Sequence, residues 1–379
     1  MDRENSLTEV LKEFNEIASW EDREIASHLP KNQIPVGFFC PYVPEELLHA
    51  GGVLPFRLMG APTKISHAQA HLPPYCCYLV KSSLERYLQG ELDFLKGIIF
   101  SHTCDSMQGL SDIWALQSRL PIHFNLMIPT RLNSEFSRHY LKEEIERFKD
   151  FLESHFGKIS LGHLRDSIHL FNQIREKIGT LYARRRTNSH ILPANSFTEI
   201  IRAGNFMDRQ RYLQLLTELM NALPEKTRED AATVPIYLTG NMTHASSWFS
   251  FIEEAGAQVV HDDLCSGARS LRLRIPEHLD PMEGLIQRYL TSFFCPTKYM
   301  GIQAHLETLL KEVQESGARG VIFLLYKYCE AHFFDYPDLK TALESKGIST
   351  LLLEIEDPST SIGQLKVRIQ AFVEMLSPF

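Results

Sequence analysis

Seven cysteines, at positions 40, 76, 77, 104, 265, 295 and 329, are the residues of this 379-residue chain whose type and placement point to chemistry. None forms a CxxC pair, which removes the main support for a zinc ribbon or a thioredoxin-like site. Their placement has an order of its own. Gly320 to Lys340, GVIFLLYKYCEAHFFDYPDLK, opens on Val321, Ile322, Phe323, Leu324 and Leu325, an apolar run too short for a helix. Such a run predicts a parallel strand covered on both faces, and Cys329 follows where the chain leaves it. Gly97 to Ser101 leads in the same way to Cys104, Ala257 to Val260 leads to Cys265, and Ile34 to Phe39 ends at Cys40. Ligands of open α/β sheets bind outside the carboxyl ends of the strands. Four cysteines are therefore predicted to stand where such a fold does its chemistry.

One free cysteine is more often a small apolar filler than a ligand. Repetition at strand exits shifts that balance. Thiolates are soft ligands that select iron–sulfur clusters, zinc or copper(I), and clusters accept cysteines at widely varied spacings. On chemistry alone a cysteine-ligated metal site is favoured over packing, with its ligands assembled by the fold. His102, His244, His261 and His332 stand near the same exits, each more often structural than catalytic. The run LTGNMTHASS, Leu238 to Ser247, lacks both GxGxxG and GxxxxGK[ST], so nucleotide binding by this chain is not predicted.

The elements that must position the cysteines follow from periodicity. Ser6 to Ala18 reads as an amphipathic helix, and Pro44 precedes a short helix beginning at Glu45 and Glu46, whose default role is to complement the helix dipole. A helix is predicted from Ser82, where Ser82 and Glu85 suit a capping box, another over Leu110 to Ser118, and another opening at Pro337. Asn133 to Glu225 is mostly helical. Thr233 to Gly240 and Thr350 to Ile355 are strands, and Ile362 to Leu376 is a closing helix. Alternating strand and helix predicts two doubly wound, Rossmann- or flavodoxin-like α/β domains joined by a largely helical stretch. The division expected is 1–32 as an N-terminal helical segment, 33–190 as the first α/β domain and 191–379 as the second.

Composition excludes several classes. A net charge of −8 and no basic stripe give no nucleic-acid footprint, and no apolar segment approaches the roughly 20 residues needed to cross a bilayer. A polar, acidic N-terminus and reduced cysteines predict a cytoplasmic protein.

GFFCPYVPEELLHAGG, CYLVKSSLERYL, TCDSMQGLSDIW, YKYCEAHFFDYPDLK and IGQLKVRIQAFVEML together resemble the core subunits of the 2-hydroxyacyl-CoA dehydratase and benzoyl-CoA reductase superfamily. The resemblance runs in order from about residue 34 to the C-terminus. It implies an oxygen-sensitive iron–sulfur protein fed single electrons by a separate ATP-hydrolysing activator, with ATP bound there and not on this chain. Carried over, the shared [4Fe–4S] cluster cysteines fall on Cys77, Cys104 and Cys329. Cys77 is preferred to Cys76 because the family's cysteine precedes a Ser-Leu-Glu block, here beginning at Ser83, by six residues. Glu46 matches the family's PEE/PQE glutamate and is a candidate for proton handling. Cys40, Cys265 and Cys295 match members that hold a double-cubane (8Fe–9S) cluster with six cysteines, although those often carry CxC where Cys295 stands alone before Pro296. The implied function is the smaller, cluster-bearing core subunit of an ATP-dependent benzoyl-CoA reductase, an oxidoreductase paired with a larger homologous subunit and acting on an aromatic acyl-CoA. The alternatives are a 2-hydroxyacyl-CoA dehydratase subunit (a lyase), a homodimeric double-cubane reductase, and an α/β scaffold whose cysteines pack or hold a structural zinc.

Overall fold

Alternation along the buried strands decides the architecture. In Gly320–Tyr326 every residue is buried. Its Val321, Phe323 and Leu325 join one apolar cluster with Leu309 and Val313, while Ile322, Leu324 and Tyr326 join another. Successive side chains point to opposite faces, so both faces of this strand are covered. Gly97–Ser101 behaves alike, with Ile98 and Phe100 in one cluster and Ile99 in another. The computed structural model describes residues 3–20, 22–29, 33–118, 120–187, 191–224, 233–241, 245–291, 295–357 and 362–377.

The strands are β1 (Ile34–Phe38), β2 (Val53–Arg57), β3 (Gly97–Ser101), β4 (Ile122–Leu126), β5 (Val234–Gly240), β6 (Ala257–Leu264), β7 (Gly320–Tyr326) and β8 (Ser349–Ile355). They form two four-stranded sheets, ordered β2-β1-β3-β4 and β6-β5-β7-β8, with every pairing parallel. The two orders are the same pattern, that of flavodoxin-like doubly wound sheets. Two α/β domains are thus present, as the alternation predicted. One apolar cluster runs between them, taking in Phe100 and Trp114 from the first and Ile236 and Leu324 from the second. Helices Glu135–Phe156 and Leu161–Thr187 supply much of the connecting stretch, and Arg3–Ser19 packs on Ala194–Ala203 and Arg209–Ala222. No helix among the described residues is long and apolar enough to cross a membrane.

Three helices begin earlier than periodicity predicts: Tyr78–Leu88, Asp105–Gln117 and Glu330–Ser345. Pro337 lies inside the last of these instead of opening it. Ser82 is interior and fully buried, and its hydroxyl donates to the Leu79 carbonyl at 3.3 Å, so it caps nothing. Glu85 reaches outward instead and accepts from the backbone N–H groups of Ser66, His67 and Ala68 at 2.8–3.0 Å. The early turns escaped the apolar pattern because Asp105, Ser106, Glu330 and Ala331 face a cavity and not the core.

Candidate functional site

Each sheet reverses its direction of winding between two central strands, β1 and β3 in the first, β5 and β7 in the second. Crevices open outside the carboxyl ends at such points. Cys40 follows β1, Cys104 follows β3, Asn241 follows β5, Cys265 follows β6 and Cys329 follows β7. Cys77, Cys104 and Cys329 occupy the N-cap positions of Tyr78–Leu88, Asp105–Gln117 and Glu330–Ser345. Their sulfurs cap no N–H outright, but an N-terminal helix end carries positive potential that favours a thiolate. Tyr328 enters the Cys329 turn with φ of 69°, a left-handed conformation that costs a non-glycine residue energy.

These three cysteines and Cys76 line one cavity of about 630 Å³. Burial pushes the Cys77 thiol up to about 12, a rise that the neighbouring Cys104 thiol adds to, while the first-turn N–H groups of Val80 and Leu79 oppose it. Cys104 also reaches about 12 through burial, with Cys40, Cys329 and Cys295 adding to the rise. Cys329 is at about 12 for the same first reason, with Cys77 contributing and the Asn241 amide opposing. Asn241 Nδ2 donates to Cys329 Sγ at 3.0 Å, and its Oδ1 accepts from the Tyr326 N–H at 2.6 Å.

Cys40, Cys265 and Cys295 do not line that cavity but lie within electrostatic reach of it and of one another. Their surroundings are cationic. Arg57, 5% exposed, donates to the Cys265 carbonyl at 2.7 Å and to its sulfur at 3.6 Å. Burial raises the Cys265 thiol to about 11, against the pull of Arg57 and Arg269. Lys298 is held by the carbonyls of His102 and Ile128, both at 2.8 Å, in the field of the Cys295, Cys40 and Cys104 thiols. Its ammonium drops to about 8 because burial outweighs those thiols. Arg269 is buried and paired with Asp263 at 3.0 Å, yet its Nη1 has no hydrogen-bond partner among the described residues. An orphaned guanidinium N–H is expensive to bury, so an acceptor is due there.

Six partly buried thiols, helix N-termini and an orphaned buried donor suit an anionic, sulfur-rich group. No three described His, Cys, Asp or Glu side chains converge to hold a single metal ion. A polynuclear cluster asks something different, because each thiolate binds a separate iron. The donor set fits that requirement.

The structure does not bring Glu46 into the cavity. It is fully buried in an ion pair with Arg175, with its Oε2 lacking a hydrogen-bond partner among the described residues. Burial would raise its carboxyl, but Arg175 and Arg288 outweigh that and hold it below the usual range. His102 contributes its carbonyl to Lys298, His261 packs against Tyr182 and Tyr237, and His332 donates its backbone N–H to the Cys329 carbonyl. His244 lies outside the described residues. Sequence reasoning missed Asn241, Arg57, Arg269 and Lys298. Only Asn241 left a signal, since it follows Gly240 at a strand exit.

A family model described as "2-hydroxyglutaryl-CoA dehydratase, D-component" matches residues 40–376. The beta subunit of lactoyl-CoA dehydratase from Anaerotignum propionicum is 27% identical over 90% of this chain and 91% of its own length. The beta subunit of (R)-phenyllactyl-CoA dehydratase from Clostridium sporogenes is 24% identical over 96% of this chain and 98% of its own. A benzoyl-CoA reductase subunit from Thauera aromatica is 23% identical, covering 96% and 95%. The reductase expected from the motifs is therefore among the relatives without being singled out, and dehydratase subunits match at least as well. With the match spanning nearly all of it, this chain, a subunit of the dehydratase and reductase type, belongs to the 2-hydroxyglutaryl-CoA dehydratase D-component family.

Proposed function

We propose that the chain is a core subunit of a 2-hydroxyacyl-CoA dehydratase, a lyase that removes water from a 2-hydroxyacyl thioester. Cys77, Cys104 and Cys329 would hold a [4Fe–4S] cluster, and the observation that carries this is their convergence on one cavity from three helix N-termini. Three thiolates leave one iron of a cubane open, and such a cluster supplies low-potential one-electron chemistry and a Lewis-acidic site for a substrate oxygen. The chain's own part is to bring the thiols together, to soften the cost of their deprotonation with N–H groups and the Asn241 amide, and to shelter the acyl group beside Tyr328 and Phe334. A larger homologous subunit would complete the acyl-CoA cleft, and an ATP-hydrolysing iron–sulfur activator would deliver electrons. Free cysteines throughout suit the reducing cytoplasm.

A benzoyl-CoA reductase-type subunit is the second reading. It is favoured by one observation, that Cys40, Cys265 and Cys295 adjoin the first three and have cations beside them. Iron and acid-labile sulfide per chain, measured after anoxic copurification with the partners, separate the two. About four irons support the dehydratase, and about eight the double-cubane reductase. Turnover of a 2-hydroxyacyl-CoA against benzoyl-CoA by the same sample decides the substrate class. A colourless, iron-free complex would defeat both and leave a scaffold.

A further inference from the structure

Loss of water in the cysteine cavity needs a proton there, because a hydroxide leaves readily only once it is protonated. Ring reduction would need one as well. Three carboxylates line this cavity: Asp105, Glu330 and Asp335. Asp105 and Glu330 each directly follow a candidate cluster cysteine, Cys104 and Cys329, in the first turn of a helix. Asp335 lies further along its helix and is backed by a histidine. His305 Nδ1 is 2.9 Å from Asp335 Oδ2, with side-chain exposures of 9% for the histidine and 26% for the aspartate. Asp335 also lines a second, smaller cavity beside Cys295 and Lys298. The carboxylate therefore stands in the wall between the two, with one side toward the substrate space and an imidazole behind it.

Resting on the acyl-CoA reading above, we propose that Asp335 is the proton-transfer residue of the cysteine cavity and that His305 positions and recharges it. As the substrate C–O bond breaks, its electron pair leaves on oxygen, and that oxygen becomes water by taking a proton that passes from His305 Nδ1 through the Asp335 carboxylate. The β C–H bond supplies the electron pair of the new C=C bond, and its proton returns to the pair, so the balance is loss of one water. Besides Asp335, the titratable groups in the field of His305 are Asp263 and His332. A tie that only held helices Ile302–Ser316 and Glu330–Ser345 together would not need to reach the cavity.

The test uses the anoxically assembled complex carrying Asp335→Asn, Asp335→Glu or His305→Gln, read by iron content, kcat and the pH profile of kcat/KM. Expected for Asp335→Asn is a fall in kcat of about 10²- to 10⁴-fold at unchanged iron. Asp335→Glu should recover part of the rate, and His305→Gln should displace a limb of the pH profile. An iron-replete Asp335→Asn complex with kcat within about twofold of wild type overturns the proposal. Should that variant fail to assemble, unaltered pH profiles in Asp335→Glu and His305→Gln overturn it equally. No turnover of any acyl-CoA by the wild-type complex would instead defeat the acyl-CoA reading, and this inference with it.

Discussion

Cys77, Cys104 and Cys329 sit at helix N-termini around an open cavity, whereas Cys40, Cys265 and Cys295 lie beside it among Arg57, Arg269 and Lys298. For Cys77 and Cys329, the groups that favour the thiolate are neutral backbone N–H donors and the Asn241 amide. For Cys265 they are guanidinium cations. Full cations stabilise an added electron more than amide dipoles do, so a centre bound by the second set would hold its electron at higher potential. The first set borders open cavity space, and the second has cations beside it.

The largest expected effect tests whether the two sets are independent. Serine at Cys77, Cys104 or Cys329 should remove most of the iron, while serine at Cys40, Cys265 or Cys295 should leave about half or more. Equal losses from both sets, by iron and sulfide analysis, would make them one indivisible site. Next, Arg57→Gln and Arg269→Gln should lower the midpoint potential of one reductive transition and spare any other. EPR-monitored anoxic titration reads this, and a uniform shift of all signals would erase the distinction.

Proton linkage sharpens the comparison in the metal-free chain. Burial raises the Cys77 thiol from 9.0 to about 12, so the folded state keeps a proton that the unfolded state gives up more readily. That contribution is present below pH 9 and is lost as pH climbs toward 12; Cys104 and Cys329 act alike. Denaturant midpoints of the anoxic apo-chain should therefore fall with alkalinity, and those of the metal-loaded chain, already deprotonated, should fall less. A flat apo profile would contradict the assignment of these thiols as buried and protonated. A smaller effect is expected from Asn241→Ala, about 1–3 kcal/mol of stability from the stranded Tyr326 N–H, read by chemical denaturation. Smallest is Tyr328→Gly, which relieves the left-handed turn before Cys329 and should change stability by about 1 kcal/mol or less. A large loss there would mean that the ring, flanked by Lys81 and Lys327, carries more than the backbone strain costs.

Legibility in the sequence followed the type of signal. β3 and β7 were readable because an uninterrupted apolar run marks a strand covered on both faces, and β3, Gly97–Ser101, ends where its run ends. The starts of the three cysteine-capped helices were not; in Asp105–Gln117 and Glu330–Ser345 the first turns place Asp105, Ser106, Glu330 and Ala331 against the cavity and so interrupt the apolar periodicity. Pro337 misled for a related reason: a proline usually opens a helix, but this one is tolerated inside it at the loss of one backbone hydrogen bond. The Asp335–His305 pair spans 30 residues and left no local pattern.

By itself the sequence determined the alternation that builds two parallel sheets, and it placed cysteines at the strand exits, because both depend on neighbours within a few residues. Only the tertiary structure decided which thiols share a cavity, which have cations beside them, and that Glu46 is tied to Arg175 away from both. Burial and electrostatic pairing join residues more than a hundred positions apart, and no local spacing encodes such distances.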